Sequence, residues 1–210
     1  MKNLESIRLQ NVEESSTLAM AALAREYKSK GVDVISLSLG EPDFKTPDHI
    51  CEGAKRSIDS GKFFSYPPVP GYLDLREAIA EKFKNENNLN YNPNEIIVSN
   101  GVKHSITNVM FSVLNPGDEV IVFAPFWVSY SAIITLADGI PKYINTTIQN
   151  DFKPTSEQLK NAISKKTKAI IFSSPCNPTG TVFTKKDLES YRNILIDHPE
   201  IIIISDEIYE

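Results

Sequence analysis

With 210 residues, the chain has room for one large domain or a domain and a half. Its 41% hydrophobic and 23% charged residues are those of an ordinary soluble globular protein, and a net charge of -5 with no basic block argues against nucleic acid as a partner. No apolar run approaches the roughly 20 residues of a membrane span, so no membrane partner is expected.

The opening residues, MKNLESIRLQNVEESS, contain no apolar signal-peptide core and read as a polar, extended arm. Thr17 to Lys30 is rich in helix formers and is closed by Gly31. Val34 to Leu39 (VISLSL) reads as a strand that runs into the loop Gly40-Glu41-Pro42-Asp43-Phe44. Pro47 to Ser60 reads as a helix with proline in its first turn and Gly61 after its end. Phe63 to Pro70 (FFSYPPVP) is an aromatic and proline-rich loop. Gly71 to Leu89 reads as a long amphipathic helix with Leu75, Ile79, Ala80 and Phe83 on one stripe.

From Glu95 the pattern alternates. Strand Ile96–Ser99 leads through Asn100-Gly101-Val102-Lys103 into a helix ending at Leu114, and Asn115-Pro116-Gly117-Asp118 makes a turn. Strand Val120–Phe123 precedes a helix around Trp127–Ala137. Strand Lys142–Asn145 precedes helix Thr155–Ser164. Strand Ala169–Ser173 leads into Pro175-Cys176-Asn177-Pro178-Thr179-Gly180 and helix Lys185–Ile196. The last stretch, IIIISDEIYE, has the apolar run expected of a strand buried on both faces. Such alternation implies βαβ units: an α/β fold with a mainly parallel sheet flanked by helices. Cys51 and Cys176 lie far apart and read as reduced thiols of a cytoplasmic protein. His49, His104 and His198 are scattered, so no metal site is expected.

In open α/β sheets, ligands bind beyond the carboxyl ends of the strands. Four such ends carry chemistry. Asn100-Gly101-Val102-Lys103 offers a glycine turn and free amides at a helix start, which suits a phosphate; alone it is equally a plain turn. Trp127, the only tryptophan, could stack on a flat ring or belong to the core. Asn177 in Asn-Pro-Thr-Gly could donate to a ligand oxygen or only shape a turn. Asp206 could meet a cationic ring nitrogen or merely cap the segment after it, and Tyr209 could offer its phenol to the same ligand. Together they fit one flat, aromatic, phosphorylated ligand with a ring nitrogen and a phenolic oxygen: pyridoxal 5'-phosphate.

In order, GEPDF, YPPxxG, NGVK, PFWVSY, NPTG and SDEIY resemble the class I aminotransferases of PLP fold type I, within them the bacterial aspartate aminotransferase branch, across practically the whole chain. The resemblance implies a three-layer α/β/α large domain over 46–210, incomplete at its C-terminal side, preceded by an arm and the start of a small domain over 1–45. It implies that Asp206 pairs with the protonated ring nitrogen and that Tyr209 and Asn177 bond the ring's phenolic oxygen. Trp127 would stack on the ring, and the backbone around Gly101, Val102 and Lys103 would cradle the phosphate. Gly40 and Asn177 would meet the substrate α-carboxylate, with Trp127 also facing the substrate. Lys103 would meet the distal carboxylate of an acidic substrate, or else only add charge near the phosphate, and Ser15 and Thr17 would close over that end. Tyr66 would reach the phosphate of the neighbouring subunit, implying a homodimer. The implied reaction moves the amino group of aspartate or glutamate to a 2-oxo acid.

The pattern departs in one respect. The lysine that anchors the cofactor covalently and the arginines for phosphate and α-carboxylate have no match in 1–210. The chain is therefore expected to be the N-terminal part of a longer enzyme and to be inactive alone. The rival expectations are another fold-type-I enzyme, such as a C–S lyase, an amino-acid synthase or a prephenate or aromatic aminotransferase, and a non-catalytic PLP-fold regulator. Only a short arm, with no DNA-binding helix-turn-helix, precedes the fold, which counts against the regulator. A generic nucleotide-binding domain leaves Asn177, Tyr209 and Trp127 unexplained.

Overall fold

A computed structural model describes residues 4–12, 14–38, 40 and 42–210, with Ser16 described for its backbone only. In chain order the helices and strands are α1 (Ile7–Gln10), α2 (Ser16–Ser29), α3 (Asp48–Asp59), α4 (Leu73–Asn87), α5 (Val102–Val113), β1 (Glu119–Ala124), α6 (Ser129–Leu136), β2 (Ile140–Asn145), α7 (Ser156–Ala162), β3 (Thr167–Ser173), α8 (Lys185–Leu195) and β4 (Ile202–Asp206). Short 3-10 turns occupy Pro93–Glu95 and Ile148–Asn150. The chain forms two compact units, one of residues 16–100 and one of the first 15 residues with 101–210.

The second of these units holds a four-stranded sheet of order β2-β1-β3-β4, every neighbouring pair parallel. Alternation along a strand sends successive side chains to opposite faces. In β1, Val120 and Val122 face one side with Ile106 and Met110 of α5 and Ile133 and Ile134 of α6. Ile121 and Phe123 face the other side with Leu159 of α7 and Tyr191 of α8. Helices therefore cover both faces, as the parallel pattern requires. Val120, Val122, Ile134 and Ile171 have no exposed surface. Two capping boxes start the covering helices on the second face, Thr155 with Gln158 at α7 and Thr184 with Asp187 at α8.

In the unit of 16–100, α4 buries Arg76. Its guanidinium donates to the carbonyls of Gly71 (3.2 Å) and Pro93 (2.8 Å), tying the helix to the segments on either side of it. Gly71 lies at φ +98°, and a side chain there would meet Val98 at 2.9 Å.

Several local expectations change. Residues 34–38 and Ile96–Ser99 form no strand, because no strand lies beside them among the described residues to complete a ladder; Leu39 lies outside those residues. The final strand is not buried on both faces. Among the described residues β4 pairs with β3, and Ile203 stands 53% exposed. The expected stripe on α4 is only half right, since Leu75 is exposed while Arg76 takes the buried place. Pro47 caps α3 from outside its first turn. The N-terminal segment is not simply extended: Ser6 caps the single turn of α1, and Arg8 pairs with Asp138 at 3.1 Å.

Candidate functional site

Three parallel strands end at one rim of the sheet, and a cavity opens there. Val102, Trp127, Tyr130, Ser173, Asn177, Asp206, Ile208 and Tyr209 line it, with an empty volume of about 450 Å³ that is partly open to solvent. The position follows from topology, since ligands of open α/β sheets lie beyond the strands' carboxyl ends.

β4 delivers Asp206 as its last residue, in register with Ser173 at the end of β3. Asp206 is 5% exposed. Its Oδ2 accepts a hydrogen bond from the Tyr130 hydroxyl at 2.6 Å, and its Oδ1 accepts a longer one from the Ile208 amide at 3.3 Å. A buried carboxylate at a strand end can meet a cationic group with little rearrangement. Burial pushes the Tyr130 phenol far above the ordinary range, and the bond to Asp206 raises it further. Tyr130 therefore remains a phenol and a donor at any working pH.

The turn after β3 brings Asn177 to Tyr209. The Asn177 side-chain amide donates to the Tyr209 hydroxyl at 3.2 Å. The turn is closed by paired backbone bonds, Gly180 amide to Cys176 carbonyl (2.7 Å) and Cys176 amide to Thr181 carbonyl (2.9 Å). Gly180, at φ +71°, supplies the left-handed residue that the closure needs. Asn177 and Tyr209 together present one donor-rich corner, able to hold a ligand oxygen.

After β1, Trp127 is half-buried, its ring edge-on to Tyr130 with centroids 5.6 Å apart and planes at 89°. The Lys103 ammonium lies 5.1 Å from the Trp127 ring centroid, a cation–π distance. Lys103 belongs to the first turn of α5. Gly101 caps that helix at φ +81°, and the following amides precede any helical acceptor, so they are available to an anion.

The structure thus gathers Val102, Trp127, Asn177, Asp206 and Tyr209 around one cavity, with Lys103 against Trp127 and Gly101 at the start of the same helix. Gly40 and Tyr66 belong to the unit of 16–100, where Gly40 is exposed and Tyr66 stands fully in solvent. Ser15 closes the N-terminal segment, and Thr17 lies in the first turn of α2. Three lining residues escape sequence reasoning. Ser173 looks like an ordinary strand end, and Ile208 is the apolar residue of SDEIY, to which the resemblance gives no role. Tyr130 looks like a core aromatic; its place at the end of PFWVSY, three residues after Trp127, is the available signal. Among the described residues no cluster of metal-ligating side chains occurs, and no helix is long and apolar enough to cross a membrane.

Chemically, the cavity can hold a flat ring bearing a cationic nitrogen, a hydroxyl and an anionic group. Known proteins resemble this chain in sequence and fold. The family described as aminotransferase class I and II matches residues 32–210. The aspartate aminotransferase of Bacillus sp. (strain YM-2) is 49% identical over all of this chain and 53% of its own length. The aspartate/prephenate aminotransferase of Cereibacter sphaeroides is 46% identical over 96% of this chain and 50% of its own. The structure of Thermus thermophilus aspartate aminotransferase with maleate superposes with a TM-score of 0.94 at 43% identity, over 100% of this chain and 54% of that one. The chain spans about half the length of the relatives it matches. Likeness in sequence and in fold agrees: the chain belongs to the class I and II aminotransferase family.

Proposed function

We propose that the whole protein is a PLP-dependent aminotransferase acting on an acidic amino acid, aspartate or glutamate, with a 2-oxo acid as acceptor. One observation carries this reading: buried Asp206 shares a cavity with the Asn177–Tyr209 pair and Trp127. The donor set fits the cofactor feature by feature. Asp206 would hold the proton on the ring nitrogen, since an opposite charge at a buried site favours the protonated form. Tyr209 and Asn177 would bond the phenolic oxygen. Trp127 would cover the ring, and the amides of Gly101, Val102 and Lys103 would take the phosphate. When bound, the cofactor supplies an electron sink for the substrate's α-carbon.

Lys103 supports acidic substrates. Its ammonium is exposed and leans on Trp127, so it can turn to a distal carboxylate without leaving a buried charge behind. Gly40 and Asn177 would meet the α-carboxylate, and Ser15 and Thr17 would close over the distal end. Tyr66, fully exposed in this chain, would reach the phosphate site of a second copy in a homodimer. The reading includes a cytoplasmic location and the division into an arm with the start of a small domain (1–45) and a large domain (46–210). The compact units of this chain run along other lines because they follow contacts within this chain alone.

A second acceptor is favoured by a specific observation: relatives at 46% and 43% identity are named aspartate/prephenate aminotransferases. The test is product analysis with the whole protein, aspartate and 2-oxoglutarate. Equimolar oxaloacetate and glutamate are expected, and prephenate in place of 2-oxoglutarate tests the second acceptor. Release of free ammonia without glutamate would contradict the aminotransferase reading and favour a lyase.

A further inference from the structure

We infer that Tyr130 is a positioning residue that fixes the Asp206 carboxylate and the Trp127 ring as one unit, so that both meet the same cofactor. The inference rests on the reading of the cavity as a cofactor site; the motif PFWVSY ends at Tyr130 without giving it a role.

Tyr130 is 1% exposed, with its hydroxyl committed to Asp206 Oδ2 at 2.6 Å. Its ring is held on two sides. Phe126 lies nearly parallel to it, at 6.4 Å and 11°, and Trp127 meets it edge-on. Its amide donates to the Trp127 carbonyl at 3.0 Å, which fixes the turn that presents the tryptophan. The two groups that would face the ring nitrogen and the ring plane are thus braced by one side chain.

The geometry of the carboxylate shows what the brace does. Asp206 is the last residue of β4, in register with Ser173 of β3. The Ile208 amide is a long partner for Oδ1, at 3.3 Å. The phenol is the short bond that sets the carboxylate's rotation, occupying Oδ2 and leaving Oδ1 the freer oxygen for a ligand. The burial-raised phenol keeps its proton in the working range, so the direction of its bond to Asp206 does not reverse with pH. Ser173 also bonds the Tyr130 oxygen, acting on it in the opposite sense to Asp206. No cation faces the pair among the groups that act on Tyr130; the others are Asp206 and Cys176.

The test compares four forms of the whole protein: wild type, Tyr130→Phe, Asp206→Asn and the double variant. Three readouts are taken: cofactor dissociation constant, pH midpoint of the bound cofactor's near-visible absorption, and kcat against KM. Phenylalanine keeps the ring and its packing and removes only the donor. Tyr130→Phe is expected to weaken cofactor binding about tenfold, the loss of one charge-assisted hydrogen bond. It should move the absorption midpoint and lower kcat more than it raises KM. In the Asp206→Asn background the same change should alter binding by less than about twofold, because the two residues act as one unit. Unchanged binding and midpoint in Tyr130→Phe, with a normal wild-type band, would overturn this role and leave the cofactor reading standing. Equal losses in both backgrounds would also overturn it, because the effect would not pass through Asp206. A wild-type protein with no cofactor band would overturn the cofactor reading itself, and this role with it.

Discussion

The two compact units of this chain handle their apolar residues differently. In the sheet-bearing unit, Val120, Val122, Ile134 and Ile171 are wholly buried, each face of the sheet being covered by helices of the same chain. In residues 16–100, Ile35, Leu37, Phe44, Phe64 and Val69 are each more than 80% exposed. So many open apolar side chains in one unit are the composition of a surface that another surface covers. The sheet-bearing unit lines its cavity with its own residues. Residues 16–100, which carry Gly40 and Tyr66, would contribute to a site under the proposed reading only with a further surface beside them. This contrast is the physical content of the proposed assembly.

The largest expected effect falls on the cavity of the sheet-bearing unit. Asp206→Ala in the whole protein should lower transamination at least about a hundredfold, as removal of one preorganised electrostatic partner does elsewhere. Steady-state kinetics with aspartate and 2-oxoglutarate would check this, and a loss under tenfold would mean that Asp206 is a structural carboxylate.

Stability should separate the units next. Ile171→Ala opens a cavity at the centre of the sheet and should cost about 2–5 kcal/mol by denaturant unfolding. Leu37→Ala gives the sharper comparison. If a surface outside this chain covers Leu37, the substitution should cost the whole protein about 2 kcal/mol. A change within about 0.5 kcal/mol, normal for an exposed position, would erase the contrast between the units.

The smallest effect is a pH dependence in the sheet. The Ser164 hydroxyl, donating at 2.6 Å, is the main cause that holds Glu119 below its ordinary value of 4.5; Lys142, at 3.3 Å, adds to it. A carboxylate with a depressed folded-state pKa contributes stability that is present above the unfolded value and lost as pH falls through the folded one. The melting temperature of Ser164→Ala should therefore lie below wild type near neutrality, with the gap closing as pH falls well below 4.5. A gap that is the same at pH 3 and pH 7 would assign the effect to packing instead.

The same contrast decides what could be read in the sequence. The alternation from β1 onward was legible because each strand is a short apolar run whose covering helices follow it in the same chain. The ends of those strands, with Trp127, Asn177, Asp206 and Tyr209, were legible for the same reason: topology sends them to one rim. Residues 34–38 and 96–99 have equally good strand patterns and form no strand. An apolar period states that a face wants covering, not where the cover is. The run Ile201–Ile204 shows the same limit, reading as a strand buried on both faces while Ile203 stands half exposed in this chain. Arg76 and Tyr130 were hidden for another reason. Each is placed by contacts between segments distant in sequence, Arg76 to the Pro93 carbonyl and Tyr130 to Asp206. No local pattern encodes such pairings.

The most direct measurement is the near-visible absorption spectrum of the whole protein supplied with pyridoxal 5'-phosphate, before and after aspartate. The account predicts a protein-bound band that disappears as aspartate donates its amino group and returns on addition of 2-oxoglutarate. No band, or a band that aspartate leaves unchanged, would contradict it.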